Sequence, residues 1–271
     1  MSTKTIFITG TSSGLGKLTA IHFAKYGWNV AATMRTPENE TELTTYENIK
    51  LFKLDVTDLE QVSSAVDDAI TAFGKIDVVV NNAGMGVYGA LELASEETID
   101  WQFAVNVRGP INVMRKFLPH FRAVGGGMFI NISSFMGLTT AVPLGSLYNM
   151  SKFALEGLTE GLYYELKPLN IELRLIEQGG SSGNNFKNNI RWNKEEKIKV
   201  YDGLMDKLLT MMNNPGKLDD PQTIVDAIAA QATGESNQFR TVVGEAGHNL
   251  LRLRKSVHIE QYLETIAQGF K

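Results

Sequence analysis

The chain has 271 residues with 26 Lys and Arg, 30 Asp and Glu, a formal net charge of −4 and no cysteine. This balance gives no reason to expect nucleic acid or an anionic membrane as a partner, and the missing cysteine excludes disulfides, thiolate catalysis and cysteine zinc sites. A 43% hydrophobic and 21% charged composition suits a soluble α/β protein able to bury a sizeable core.

The first apolar run, over 4–9, is too short for a signal peptide or a membrane span. No later stretch is long enough to cross a bilayer, so a cytoplasmic protein is expected. The run reads as a strand. Further strands are expected over 29–34, 50–56, 76–82, 128–133, 172–177 and 239–244. Several, such as Ile76-Asp77-Val78-Val79-Val80, are almost continuously apolar, as parallel strands covered on both faces must be. Amphipathic helices are expected between them. One runs over 15–26 and stops at Gly27; another runs over 58–73, with Asp58 as N-cap and Gly74 as stop. Alternating strands and helices mean a parallel sheet with right-handed crossovers.

Strand 1 runs directly into Thr9-Gly10-Thr11-Ser12-Ser13-Gly14-Leu15-Gly16 and then a helix. Glycine allows a tight turn and close approach of a phosphate, while the helix amino end offers unpaired N–H groups and a favourable dipole. Gly10, Ser12, Ser13, Gly14, Leu15 and Gly16 are therefore expected to cradle a dinucleotide. At the end of strand 2, Met34-Arg35-Thr36 offers no carboxylate to a ribose 2′-hydroxyl. Arg35 can instead pair with a 2′-phosphate, so NADP(H) is expected over NAD(H).

Tyr148 and Lys152 stand four apart at the start of a helical run, so phenol and ammonium share one face. The cation is expected to lower the phenol's pKa and fit it to hand a proton to a carbonyl oxygen. Within the same helix, over 152–167, Gly157 and Gly161 share a face. This suggests close approach of another backbone, either a second subunit or the chain's own sheet. No repeat or linker appears, so one domain over 1–271 is expected. The Asn- and Lys-rich segment 184–217 reads as a lid over the pocket or as a surface excursion, and Asp220-Pro221 as the start of the next helix. The four histidines lack metal spacing, and no metal site is expected.

Thr9-Gly10-x-x-x-Gly14-x-Gly16, Asn81-Asn82-Ala83-Gly84, Asn106, Ser133-Ser134 and Tyr148-x-x-x-Lys152, in this order, resemble the short-chain dehydrogenase/reductase family. The resemblance implies a Rossmann-type doubly wound parallel sheet of seven strands in the order 3-2-1-4-5-6-7, with helices on both faces. It implies Tyr148 as acid–base residue, with Lys152 lowering its pKa and hydrogen-bonding the nicotinamide ribose. Ser134, with Ser133 as fallback, would polarise the substrate oxygen, and Asn106 would hold a water in a proton relay to Lys152. Asn82, Ala83 and Gly84 would flank the adenine-side ribose, Asp55 and Val56 the adenine, and Gln178 and Gly179 the cofactor. A homodimer or homotetramer through the Lys152 helix is also implied.

Three positions depart from the family pattern. Ser134 stands one residue too far from Tyr148, so an insertion within 136–147 is expected to restore it. Gln178 replaces a proline, and Gly183 stands near an expected threonine, for which Ser181 or Ser182 could substitute. Arg35 stands where a carboxylate would signal NAD(H). Loops after strands 4 and 5 are mostly apolar, pointing to a hydrophobic ketone or aldehyde. An NADP(H)-dependent carbonyl reductase or alcohol dehydrogenase is thus expected. The alternatives are a non-catalytic NADP(H) sensor and an epimerase or dehydratase on the same fold.

Overall fold

A computed structural model describes residues 3–181, 186, 189–195, 197–214 and 218–270. Its strands are β1 (Thr5–Thr9), β2 (Asn29–Met34), β3 (Ile49–Lys53), β4 (Val78–Asn81), β5 (Val87–Gly89), β6 (Gly127–Ser134), β7 (Ile171–Gln178), β8 (Arg191–Asn193) and β9 (Arg240–Val243). Its helices are α1 (Gly14–Lys25), α2 (Leu59–Phe73), α3 (Glu96–Phe103), α4 (Gly109–Val124), α5 (Ser146–Leu166), α6 (Asp202–Asn213), α7 (Pro221–Thr233), α8 (Glu245–Ser256) and α9 (Ile259–Gln268). Seven strands form one parallel sheet in the order β3-β2-β1-β4-β6-β7-β9. Counting only these strands, this is the expected 3-2-1-4-5-6-7.

The apolar runs divide between two faces with the period of two that a strand imposes. Ile6, Ile8, Val78, Val80, Ile130 and Ile132 face a core built with α1 and α7. Phe7, Val79 and Phe129 face the other core, filled by Val62, Val66, Phe117 and Phe121 from α2 and α4. Burial on both sides explains why these strands lack polar alternation.

Helix boundaries follow local chemistry. Asp58 caps α2 by accepting from the N–H groups of Glu60 and Gln61, and Asp220 caps α7 by accepting from Gln222. Gly74 closes α2 at φ 77°. Strand β3 ends at Lys53, short of the expected 56, because Asp55 folds back. Its Oδ1 accepts from Thr57 N at 2.9 Å and Thr57 Oγ1 at 2.7 Å, a local turn that competes with the ladder. Helix α5 begins at Ser146, so Tyr148 lies in its first turn, at the start of the helix as expected.

Strands β5 and β8, too short to be expected from periodicity, pair in parallel as a separate two-stranded sheet. This sheet anchors the described start of the expected lid. Parts of that lid, 184–185, 187–188, 196 and 215–217, lie outside the described residues. Phe186, Ile190, Trp192, Leu208, Met211 and Met212 pack with Tyr88, Met136 and Tyr148 over the sheet's carboxyl edge. Among the described residues, no helix is long and apolar enough to cross a membrane.

Candidate active site

Sheet order reverses between β1 and β4, and the cavity opens there, outside the carboxyl ends of the strands. The glycine turn is held from two sides. Gly10 N and Thr11 N both donate to Thr33 O at 3.0 Å. Asn82 Nδ2 donates to Thr9 O at 2.8 Å and to Gly10 O at 3.0 Å. Gly10 and Gly14 adopt φ of 72° and 56°. A Cβ on Gly16 would run into the Gly10 carbonyl oxygen and come within 2.5 Å of Asn82 Nδ2. Ser13, the N-cap of α1, makes no side-chain cap bond, and the first turn has no acidic residue. The amino end of α1 therefore keeps N–H donors for an anion.

The cavity has a volume of about 550 Å³. Every expected cofactor residue lines it: Gly10, Ser12, Ser13, Gly14, Leu15, Gly16, Arg35, Asp55, Val56, Asn82, Ala83, Gly84, Tyr148, Lys152, Gln178 and Gly179. Ser134 lines it as well, and so does Ser181. Ser182 and Gly183 lie outside the described residues. Arg35 is exposed at the end of β2 and enters no ion pair among the described residues. Of the first two carboxylates that follow β2, Glu38 is exposed and Glu40 is drawn away. It meets Lys17 Nζ at 2.9 Å and accepts from Leu43 N at 3.0 Å.

The 3₁₀ turn Phe135–Gly137 and the loop after it bring β6 to α5. In that loop Leu144 sits at φ 57°, an uncommon conformation for a branched residue, and its carbonyl accepts from Gly89 N at 2.8 Å. Asn149 Nδ2 ties α5 to the turn through Met136 O at 2.8 Å and Thr139 O at 2.7 Å. The result places Ser134 near the Tyr148 hydroxyl, both lining the cavity. Ser134 Oγ also accepts from Met136 N at 3.2 Å. Ser133 points to the other side of β6, fully buried beside Glu156. The longer spacing is thus absorbed in the loop, and of Ser133 and Ser134 it is Ser134 that lines the cavity.

Lys152 Nζ donates to Ile132 O at 2.8 Å and lies 5.8 Å from the centre of the Tyr148 ring. Burial pushes the Tyr148 phenol well above its ordinary range, and the nearby Ser134 hydroxyl only partly opposes this. Burial also pushes Lys152 down to about 8, with Glu156 pulling the other way. The expected lowering of Tyr148 by Lys152 is therefore corrected: both groups are desolvated, and desolvation disfavours the phenolate and the ammonium alike.

Asn106 does not line the cavity. It sits in a π-helical turn, Ala104–Arg108, a feature frequent at functional sites. Its Oδ1 accepts from Met85 N at 3.0 Å, and its Nδ2 donates to Met85 O at 2.8 Å and Ser151 Oγ at 3.0 Å. Gly84 separates it from Lys152: a Cβ there would lie 3.5 Å from Asn106 Oδ1 and 3.8 Å from Lys152 Nζ. The Asn106 side chain thus brackets the Met85 backbone. Gln102 completes the bracket, accepting from Val87 N at 2.7 Å and donating to Met85 O at 3.2 Å. Sequence reasoning missed Gln102, although two amides four apart on a helix were a usable signal.

A model of the short chain dehydrogenase family matches residues 4–194. The chain belongs to the short-chain dehydrogenase/reductase family. It is 34% identical over 257 residues to a 3-ketodihydrosphingosine reductase of Bacteroides thetaiotaomicron, covering 94% of this chain and 93% of that one. A short-chain dehydrogenase structure from Streptomyces avermitilis superposes with a TM-score of 0.84 at 31% identity, covering 100% and 99% of the two chains. ElxO, solved with NADP bound, gives a TM-score of 0.73 at 28% identity over 89% of this chain and 96% of its own. A 3-ketoacyl-(acyl-carrier-protein) reductase from Brucella melitensis, complexed with NADH, gives 0.73 at 26% identity over 89% and 95%. Family members of this shape thus include both NADP and NADH complexes.

Proposed function

We propose that this family member is an NADP(H)-dependent reductase of a hydrophobic ketone or aldehyde. The observation that carries the reading is the Ser134–Tyr148–Lys152 cluster at the edge of a cavity walled by Tyr88, Phe135, Met136, Val142, Phe186, Ile190 and Met211. Arg35 and Lys152 are the cations among the described lining residues, so the wall suits an apolar substrate better than a phosphorylated one. Similarity to a protein named for reducing a keto group supports the same reaction class.

The residues present suit a nicotinamide dinucleotide. Gly10, Gly14 and Gly16 with the open amino end of α1 would receive its pyrophosphate, Asp55 and Val56 its adenine end, and Lys152 its nicotinamide ribose. When bound, the cofactor supplies the hydride. Reduction builds negative charge on the substrate oxygen. Ser134 Oγ–H and Tyr148 O–H are the donors positioned to meet that charge. Tyr148, held protonated by its burial, then gives its proton to that oxygen. Lys152 is cationic below about pH 8 and stabilises the phenolate left behind. Consumption of NADPH with aliphatic and aryl ketones and aldehydes tests the reading; turnover confined to sugar phosphates would sink it.

The choice of NADP(H) rests on Arg35. A charge-assisted pair with a 2′-phosphate contributes about 1.5–3 kcal/mol, so Arg35→Ala should weaken NADPH binding about ten- to a hundredfold and leave NADH binding nearly unchanged. Equal affinities for the two cofactors in both proteins would reject it.

We also infer self-association through α5. Nothing lies within 4 Å of a Cβ built on Gly157 or Gly161, so the chain's own backbone is not what these glycines accommodate. Met150, Phe153 and Tyr164 are exposed on the same helix, Tyr164 by 75%. Light scattering should give at least twice the 29.9 kDa chain mass; a monomeric mass would exclude the interface.

A further inference from the structure

Behind Lys152 lies a buried cluster that the proposed reaction leaves unused. Glu156 follows Lys152 by one helical turn and is 3% exposed. Glu177, on β7 beside the cavity-lining Gln178, is wholly buried. Arg240, the first residue of β9, faces both carboxylates. Its Nε is 3.1 Å from Glu156 Oε2 and 3.2 Å from Glu177 Oε1, while its Nη2 lies 2.9 Å from exposed Glu160. One partly exposed guanidinium thus answers two carboxylates that are themselves buried, where an uncompensated charge is costly.

The hydrogen bonds point the same way. Glu156 Oε1 and both oxygens of Glu177 lack a donor with good geometry. Ionised carboxylates only accept, so two of them side by side cannot satisfy each other; a proton between them supplies the missing donor. Burial pushes Glu177 up to about 8, and the neighbouring Glu156 adds to that rise. Glu156 is raised by burial as well. The groups facing the pair are Lys152 and Glu160 from α5, Arg240 from β9, the more weakly acting Lys255 from α8, and the Ser133 hydroxyl from β6.

We infer that Glu156 and Glu177 hold one proton between them, and that the single negative charge of this pair keeps Lys152 cationic in its buried seat. Glu156, Glu177 and Arg240 are then positioning residues that act on the site through Lys152. The shared proton stands independently of the reductase reading; its effect on turnover rests on that reading.

The experiment has two arms on the full chain. In the first, infrared or NMR spectra of protein labelled with ¹³C-glutamate are titrated without substrate. A protonated glutamate carboxyl should persist at neutral pH in the parent. It should vanish in Glu156→Gln and in Glu177→Gln, where Arg240 Nε faces a single buried carboxylate. In the second arm, the alkaline limb of the kcat–pH profile is compared. Glu177→Gln confines the negative charge to Glu156, next to Lys152, and should move the limb up by about one pH unit. Glu156→Gln leaves the charge on the more distant Glu177 and should move it down by a similar amount, the usual scale for a neighbouring charge. Loss of packing alone would lower activity or stability without opposite displacements. Absence of a protonated glutamate at neutral pH in the parent overturns the shared proton; unmoved limbs in both variants overturn the link to Lys152. A chain that reduces no carbonyl would refute the reductase reading, while the first arm would still decide the shared proton.

Discussion

Tyr148→Phe is expected to lower kcat for carbonyl reduction by about 10²–10⁴-fold, the usual contribution of a positioned general acid. The substitution removes one oxygen and keeps the ring that packs against Tyr88 and Phe186, at centroid separations of 5.8 and 5.3 Å. Ser134 keeps its hydrogen bond from Met136 N, so the serine stays in place. The glycine turn and Arg35 are untouched, and cofactor affinity should stay close to the parent's. The loss should therefore fall on kcat rather than on binding, the pattern of an interaction made chiefly in the transition state. Steady-state rates with the best carbonyl of the panel, beside fluorescence titration of NADPH, make the comparison. A variant that retains more than about a tenth of the parent's kcat would show that Tyr148 is not the acid.

Much of this arrangement was legible because local rules and global fold agree. The run from Ile6 to Ile8 and the valines at 78–80 could only be strands covered on both faces, and helices pack on both. The turn ending at Gly16 announced itself because the conformation and the close approach both demand glycine. What escaped depended on contacts distant in sequence. Strands β5 and β8 have three residues each and pair across about a hundred positions, too short for periodicity to reveal. Glu177 interrupts an apolar strand and Glu156 shares a helix face with Lys152, yet only the fold brings Arg240 between them. The direction of the Tyr148 shift is hidden from the sequence for a related reason. Spacing reveals that a cation is near, whereas burial, which outweighs it here, is a property of the assembled core.

Lys152→Met should separate stability from activity. The side chains are similar in volume, and the seat is buried. The ammonium is held there at a cost: its pKa falls from 10.5 to about 8. At about 1.4 kcal/mol per pH unit, this withholds about 3 kcal/mol of stability at neutral pH. Methionine removes that cost, which is already net of the attraction to Glu156, but abandons the charged bond to Ile132 O, so a net gain of about 1 kcal/mol is expected. The sign follows from proton counting. Below about pH 8 the lysine is charged in the folded and the unfolded chain alike, and the penalty is constant. Between about 8 and 10.5 the unfolded chain holds a proton that the folded one has released, so the parent's stability rises with pH and the variant's advantage shrinks. Activity should move in the opposite sense to the neutral-pH stability, falling at least about 10²-fold, because the charge that stabilises the Tyr148 phenolate is gone. Urea unfolding at a series of pH values, beside kcat, tests both halves. If the variant were less stable than the parent at neutral pH and the difference did not change toward pH 10, Lys152 would be a packing residue with an ordinary pKa. The burial that shapes this site would then be weaker than the structure implies.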